Sequence, residues 1–171
     1  MSAESPIPTR LVIDFRDPTQ ALDWTSVDDQ VMGGVSASQV QATPAGLVFS
    51  GEVSLANNGG FASTRARPRD YGLAGVTALI LRLQGDGQTY KFGIRTDDAL
   101  DGVQYQARVT TQAGEWLEVP LPLSAFQPSF RGRLVPAPPL DPTRIRVFGL
   151  LIADRQAGPF RLLVESIQAR F

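Results

Sequence analysis

The sequence predicts an all-β protein, built as a β-sandwich of two antiparallel sheets. Apolar and polar residues alternate with a period of two along much of the 171-residue chain, as they do in strands with one buried face. Turn signals rich in Gly and Pro separate these runs, and helical periodicity is nearly absent. Hydrophobic residues make up 43% of the chain, which is enough apolar surface for a buried core. A chain of this length and pattern favours one sandwich domain.

The predicted elements follow one another in order, with turn residues between them. Only 17–24 has helical features, since Asp17 suits a helix cap and Pro18 suits the first helical position. The segment 147–153 is apolar on both faces, which favours a central strand. We therefore expect a domain over 11–171, a flexible tail over 1–10 and one short N-terminal helix. The predicted strands are 11–15, 47–53, 79–84, 90–95, 103–110, 116–121, 144–153 and 160–171.

Two of these strands are predicted to pair as a β-hairpin. The segments 79–84 and 90–95 both alternate cleanly, and residues 85–88 between them read Gly-Asp-Gly-Gln. Glycine accepts positive φ angles without steric cost, so this string is a strong turn signal.

The composition excludes several classes of function. The chain has no His and no Cys, which removes thiol nucleophiles, His bases and metal sites that need those ligands. Its net charge of -1 provides no global positive field for nucleic acid. Neither a GxGxxG fingerprint nor a P-loop is present. We expect no catalytic residue, no metal and no cofactor, although catalysis by two carboxylates stays open.

Polar, glycine-rich segments supply the candidate binding residues. They lie at 24–36, 57–65, 130–133 and 154–160, and turn chemistry alone does not require their length. Paired glycines allow close backbone approach, and Asp, Asn and Arg side chains suit hydroxyl or anionic groups. The candidates are Asp28, Asp29, Met32, Gly33, Gly34, Ser36, Asn57, Asn58, Gly59, Gly60, Arg65, Arg131, Asp154 and Gln156.

Each candidate also has a structural interpretation. Asn-Gly and Gly-Gly pairs are common in β-turns, and aspartates cap turns more often than they bind metal. Arg65, Arg67 and Arg69 alternate, which favours one solvated strand face over an anion site shared with Arg131 and Arg133.

Long and unusual strings allow comparison with a known family. They are VMGGVS at 31–36, NNGGFAS at 57–63, FRG at 130–132 and GLLIAD at 149–154. With Trp24, Tyr90, Tyr105, Trp116 and the segment 156–160, they make the chain from about 11 to 167 resemble the complex I intermediate-associated protein family. The resemblance implies a jelly-roll sandwich similar to galactose-binding domains. It also implies a role in assembling NADH:ubiquinone oxidoreductase or, in photosynthetic organisms, a photosystem, with no established catalytic residue.

The leading hypothesis is therefore a non-catalytic binding module. Its partner would be a protein client, such as an intermediate of a membrane electron-transfer complex, held by the loops at 32–36 and 57–65 with Arg65 and Arg131. The alternative is a carbohydrate-binding module, with Asp28, Asn57, Asn58 and Arg65 as its polar groups and Trp24 or Trp116 beneath the sugar. An enzyme with paired carboxylates ranks third, and RNA binding ranks last.

The sequence also suggests where the protein works. No apolar run is long enough to cross a membrane, and the first ten residues resemble neither a secretory signal nor an organelle presequence. We therefore expect a cytoplasmic protein that does not insert into membranes. Because the chain lacks the targeting extension of the mitochondrial relative, a bacterial source is expected.

Overall fold

The computed structural model describes residues 8–28, 34–97 and 102–171, and these residues form two antiparallel sheets. The strands are β1 (Thr9–Asp14), β2 (Trp24–Asp28), β3 (Ala37–Thr43), β4 (Gly46–Val53), β5 (Ala62–Ala66), β6 (Ala78–Gln84), β7 (Thr89–Arg95), β8 (Gln104–Thr110), β9 (Trp116–Pro122), β10 (Gln127–Phe130), β11 (Arg133–Leu134), β12 (Val147–Ile152) and β13 (Gly158–Arg170). The predicted fold class is confirmed.

The strands divide into a six-stranded and a seven-stranded sheet. The six-stranded sheet has the order β3-β4-β13-β6-β9, and β1 pairs with the C-terminal half of β13 beyond β4. The seven-stranded sheet has the order β11-β10-β8-β7-β12-β5-β2. In it β12 lies between β7 and β5, which confirms the prediction of a central strand for this apolar run.

The core fills the space between the two sheets with aliphatic and aromatic side chains. Phe92 stacks on Phe148 within the seven-stranded sheet, at 5.4 Å between ring centroids. Phe49 and Phe160 meet edge to face at 4.9 Å in the other sheet. Such aromatic pairs contribute about 0.5–1.5 kcal/mol each beyond the burial of their surface.

The predicted hairpin of β6 and β7 is wrong. These strands belong to different sheets, because β6 pairs with β9 and β13 whereas β7 pairs with β8 and β12. The connection 85–88 is therefore an arch that crosses the sandwich. Asp86 holds it by accepting hydrogen bonds from the Tyr90 hydroxyl at 3.0 Å and from the Gln88 and Arg161 N–H groups at 3.1 and 2.8 Å.

The sequence prediction missed five strands of mixed polar composition, β2, β3, β5, β10 and β11, of which β2, β3 and β11 are edge strands. All but β3 overlap segments interpreted as polar loops. The N-terminal helix exists as a 3-10 turn over Pro18–Ala21, shorter than predicted, and Asp17 caps it by accepting from the Thr19 N–H at 3.0 Å. The division into a 1–10 tail and an 11–171 domain stays a prediction, although β1 already begins at Thr9.

Candidate functional site

Three of the four polar segments meet at one end of the seven-stranded sheet. Asp28 pairs with Ala62, and Ala62 pairs with Ile152, so the end of β2, the start of β5 and the end of β12 are successive neighbours. The loop 54–61 before β5 and the turn 153–157 after β12 therefore leave the sheet side by side, next to Asp28. This register brings Asp28 together with the segments 57–65 and 154–160, as a shared binding surface requires.

Asp28 is a buried hydrogen-bond acceptor at this end of the sheet. Its side chain is held between the sheets because it accepts from Ser38 of β3 and Ser63 of β5. The Ser38 N–H and hydroxyl donate at 2.9 and 2.6 Å, and the Ser63 N–H donates at 3.2 Å. The carboxylate thus joins the two sheets through the two hydrogen bonds from Ser38, and the third binds it to its neighbour β5.

Hydrogen bonds also fix the loops next to Asp28. Ser36 is fully buried, and its hydroxyl accepts from the Ser54 N–H at 2.9 Å and donates to the Ser54 carbonyl at 3.2 Å. The exposed Asn57 has a φ of 55°, and the Gly59 N–H donates to the Ala56 carbonyl at 2.9 Å. These contacts give the loop 54–60 a fixed path at the surface.

The turn after β12 is strained and firmly anchored. Asp154 and Arg155 both have a φ of 59°, a left-handed conformation that costs a non-glycine residue roughly 1–2 kcal/mol. The Gln156 side chain compensates, because its amide nitrogen donates to the Thr89 and Ala153 carbonyls at 2.7 and 2.9 Å. Its oxygen accepts from the Thr89 N–H at 2.8 Å. The turn is therefore fixed to β7, which sets the position of Asp154.

Asp154 reaches a pair of cations on the outward face of the seven-stranded sheet. Lys91 and Arg108 are direct cross-strand neighbours and alternate with core residues, so both point away from the core. The Asp154 carboxylate lies 3.4 Å from Lys91 Nζ and 3.5 Å from Arg108 Nη2. Like charges directly opposite each other destabilise a sheet, and the carboxylate offsets this repulsion.

A shallow depression of about 270 Å³ opens beside the cation pair. Its lining includes Gly132 and Leu134 from the β10–β11 hairpin, whose tip carries Arg131 with a φ of 50°. The polar side chains along it are Lys91, Gln106, Arg108, Gln127, Ser129 and Asp154. We call this feature the cationic groove.

The structure thus gathers some predicted site residues and separates others. Asp28, Gly34, Ser36, Asn57, Asn58, Gly59 and Gly60 belong to the loop end of the sandwich, and Asp154 and Gln156 lie beside them. Arg65 lies within β5, and Arg131 lies at the hairpin tip. Asp29, Met32 and Gly33 lie outside the described residues. Whether any of these residues contacts a ligand or partner stays a prediction.

The sequence prediction missed the polar residues of the cationic groove. Lys91, Gln106 and Arg108 lie inside strands, where they were treated only as the solvated side of an alternating pattern. The signal that could have found them is a Lys and an Arg on the outward faces of consecutive strands. It becomes specific only once the register places them opposite each other.

The two tryptophans differ in their surroundings. Trp24 is 4% exposed and packs edge to face against Phe15 at 5.4 Å. Trp116 is 39% exposed at the edge of the six-stranded sheet, with the Arg82 guanidinium 5.2 Å from its ring centroid. Neither lies on the seven-stranded sheet's outward face, and none of the residues that line the cationic groove is aromatic.

Comparison with known proteins identifies the family. The family model "Complex I intermediate-associated protein 30 (CIA30)" matches residues 13–164, from β1 into β13. The chain belongs to this family. The resemblance drawn from the sequence motifs is thereby confirmed.

Named CIA30 relatives cover nearly all of the chain. It is 25% identical over 185 residues to the mitochondrial complex I intermediate-associated protein 30 of Drosophila melanogaster, covering 93% of this chain and 62% of that protein. The corresponding mouse protein is 26% identical over 180 residues, with coverages of 92% and 55%. An uncharacterized Schizosaccharomyces pombe protein is 30% identical over 169 residues, with coverages of 86% and 77%. The chain therefore spans less than two thirds of the two named CIA30 relatives.

Solved structures share the sandwich. The family 11 carbohydrate-binding module of a Clostridium thermocellum cellulosomal cellulase is 17% identical with a TM-score of 0.64, covering 97% of this chain and 96% of the module. The same family of module in complex with a mixed-linked tetrasaccharide gives 16% identity, a TM-score of 0.62 and 97% coverage of both chains. An agarase is 12% identical with a TM-score of 0.63, and the match covers 95% of this chain and 24% of the enzyme. These matches establish the jelly-roll fold.

The CIA30 relatives also correct the expected location. The cytoplasmic prediction is contradicted, because the fly and mouse proteins are both mitochondrial by name. The three relatives above are eukaryotic, so they give no support to the expected bacterial source. Within the described ranges, no helix has both the length and the apolar character needed to span a bilayer.

Proposed function

We propose that this chain is a non-catalytic assembly factor that binds a protein intermediate of respiratory complex I. The observation that carries the proposal is the CIA30 match over 13–164, which includes strands of both sheets and the segments 57–65 and 154–160. A rigid sandwich with anchored loops suits a module that holds a partner without transforming it.

The cavities support a binding role rather than glycoside hydrolysis. Glycosidases need two carboxylates, about 5–5.5 Å or 6.5–9.5 Å apart. The depression of about 190 Å³ beside Trp24 has Asp23 as its single carboxylate, and the cationic groove has Asp154. Neither lining offers the pair, although a part of one agarase shares the fold.

Deletion of the gene in its own host tests the proposal. We expect less assembled complex I on native gels, more of its membrane-bound subcomplexes, and recovery when the wild-type chain is restored. Other respiratory complexes on the same gels serve as the internal control. Unchanged complex I after verified deletion would contradict the assembly role.

Carbohydrate binding is the second candidate, and the sandwich shared with a module solved in complex with a tetrasaccharide supports it. The buried Trp24 weighs against it, as does the absence of aromatic side chains in the groove lining. Titration of the purified chain with that mixed-linked tetrasaccharide separates the two candidates. Saturable binding that is lost in Trp116→Ala would favour the carbohydrate function.

A further inference from the structure

We infer that the cationic groove binds an extended acidic segment of the protein partner. This inference rests on the proposed function and names the surface and the chemistry that carry it out. The partner's carboxylates would pair with Lys91 and Arg108, and its peptide groups would meet the amide side chains along the groove.

The charge of the groove differs from that of the chain. The whole chain carries -1, yet two cations and one carboxylate line the groove. Two further arginines, Arg131 and Arg133, flank Gly132 in the adjoining hairpin. A partner segment rich in Asp or Glu therefore complements this face, whereas a basic segment would be repelled.

The contact with Asp154 leaves Arg108 available. The side chain of Arg108 is 69% exposed and that of Asp154 is 44% exposed, so this ion pair contributes at most about 1 kcal/mol. A partner's carboxylate can add to the open side of the guanidinium or take the place of Asp154. The anchored turn keeps Asp154 beside the cations when no partner is bound, which limits repulsion between Lys91 and Arg108.

The shape and the polar lining favour a peptide over an enclosed small molecule. A volume of about 270 Å³ is below the roughly 300–1,000 Å³ of typical small-molecule pockets. Gln106 and Gln127 are cross-strand neighbours and line the groove together. An amide side chain both donates and accepts, as a peptide group does.

Titration of the purified chain with a synthetic decapeptide of alternating Glu and Ser tests the inference. Amide NMR shifts should map to β7, β8 and β10, and binding should weaken as salt rises. Arg108→Glu should weaken binding about tenfold, since charge reversal replaces attraction by repulsion at an exposed site. Asp154→Asn should bind more tightly, because it removes the competing carboxylate.

Arg161→Glu is the matched control. Arg161 is exposed on β13 of the other sheet, and its substitution changes the net charge by the same amount. An equal loss of affinity in Arg108→Glu and Arg161→Glu would overturn the inference, since only the overall charge would then matter. The inference would also be overturned if the Glu-Ser peptide did not bind, or if a Gln-Ser peptide bound equally well. The same holds if a uridine decamer bound and the Glu-Ser peptide did not. Weaker binding by Asp154→Asn would overturn it as well.

Complementation of the deletion strain separates this inference from the proposed function. Rescue by Arg161→Glu but not by Arg108→Glu supports both. If both variants rescue equally and complex I still depends on the gene, the inference about the groove is overturned and the assembly role is not. Peptide binding without any effect of the deletion on complex I overturns the assembly role alone.

Discussion

At the scale of single residues, polar character in the sequence identifies candidate positions but does not show which groups those side chains contact. Asp28, Ser36 and Gln156 attract attention in the sequence because they lie in polar segments. In the structure their side chains satisfy backbone groups of distant strands or loops. Buried polar atoms need such partners, since an unsatisfied one costs about 1–3 kcal/mol. These three residues therefore form the frame that positions any binding surface at this end.

The Asp28→Asn variant tests that structural role. We expect a loss of about 2–3 kcal/mol in the free energy of unfolding, measured by urea titration. The reason is that one amide oxygen cannot replace two carboxylate oxygens that accept from Ser38 and Ser63. Asp154→Asn makes the same chemical change at an exposed site and should cost about 1 kcal/mol or less. Equal stability of the two variants would show that Asp28 is not needed to join the sheets.

At the scale of elements, the alternating pattern predicts which face of a strand is buried but not which strand it pairs with. Leu79, Leu81 and Leu83 are fully buried, as their pattern predicts. The same pattern is compatible with a hairpin and with an arch, because both reverse the chain within a few residues. The choice depends on contacts remote in sequence, such as that of Thr111 with the arch. Short edge strands such as β11 leave too few alternating residues to be recognised at all.

Gly85 is where Thr111 fixes the arch. A Cβ at residue 85 would lie 2.3–2.5 Å from three Thr111 side-chain atoms. The Thr111 hydroxyl also accepts from the Gly87 N–H at 3.0 Å and donates to the Gln88 carbonyl at 2.7 Å. Gly85→Ala must displace this side chain, so we expect a loss of about 1–3 kcal/mol in unfolding free energy.

The control for this variant is Gly93→Ala in β7. There a new Cβ meets the amide end of Gln104, a flexible side chain that can swing aside. We expect a loss below about 1 kcal/mol. A larger loss for Gly93→Ala than for Gly85→Ala would contradict the account of the arch.

At the scale of the molecule, the fold class and the family were accessible from the sequence, whereas the groove was not. Period-two alternation and the strings VMGGVS and NNGGFAS are local features, so they can be recognised in the sequence without knowledge of the topology. The groove combines strands β7, β8 and β10 with a turn after β12, so it exists only after the sheet order is known.

The absence of His gives the whole molecule a simple expected dependence on pH. Only the N-terminal amine ordinarily titrates between about pH 5 and 9, so the free energy of unfolding should change little there. Side-chain hydrogen bonds lower the pKa values of Asp14, Asp17 and Asp141, from Arg16 in the first case and from the threonine two residues ahead in the others. These carboxylates stabilise the folded state above their ordinary pKa near 4, and that contribution is lost as the pH falls further.

The alkaline limit should come from buried tyrosine. Burial, and after it the charge of Asp86, raises the pKa of Tyr90 well above its ordinary value near 10. The folded state therefore keeps this proton while the unfolded chain releases it. The contribution is complete below about pH 10 and is lost as the pH rises beyond it. Urea unfolding from about pH 3 to 11 should show a plateau between two declines, with a shallower alkaline decline in Tyr90→Phe. A step between pH 5 and 8, or an alkaline decline unchanged in Tyr90→Phe, would contradict this assignment.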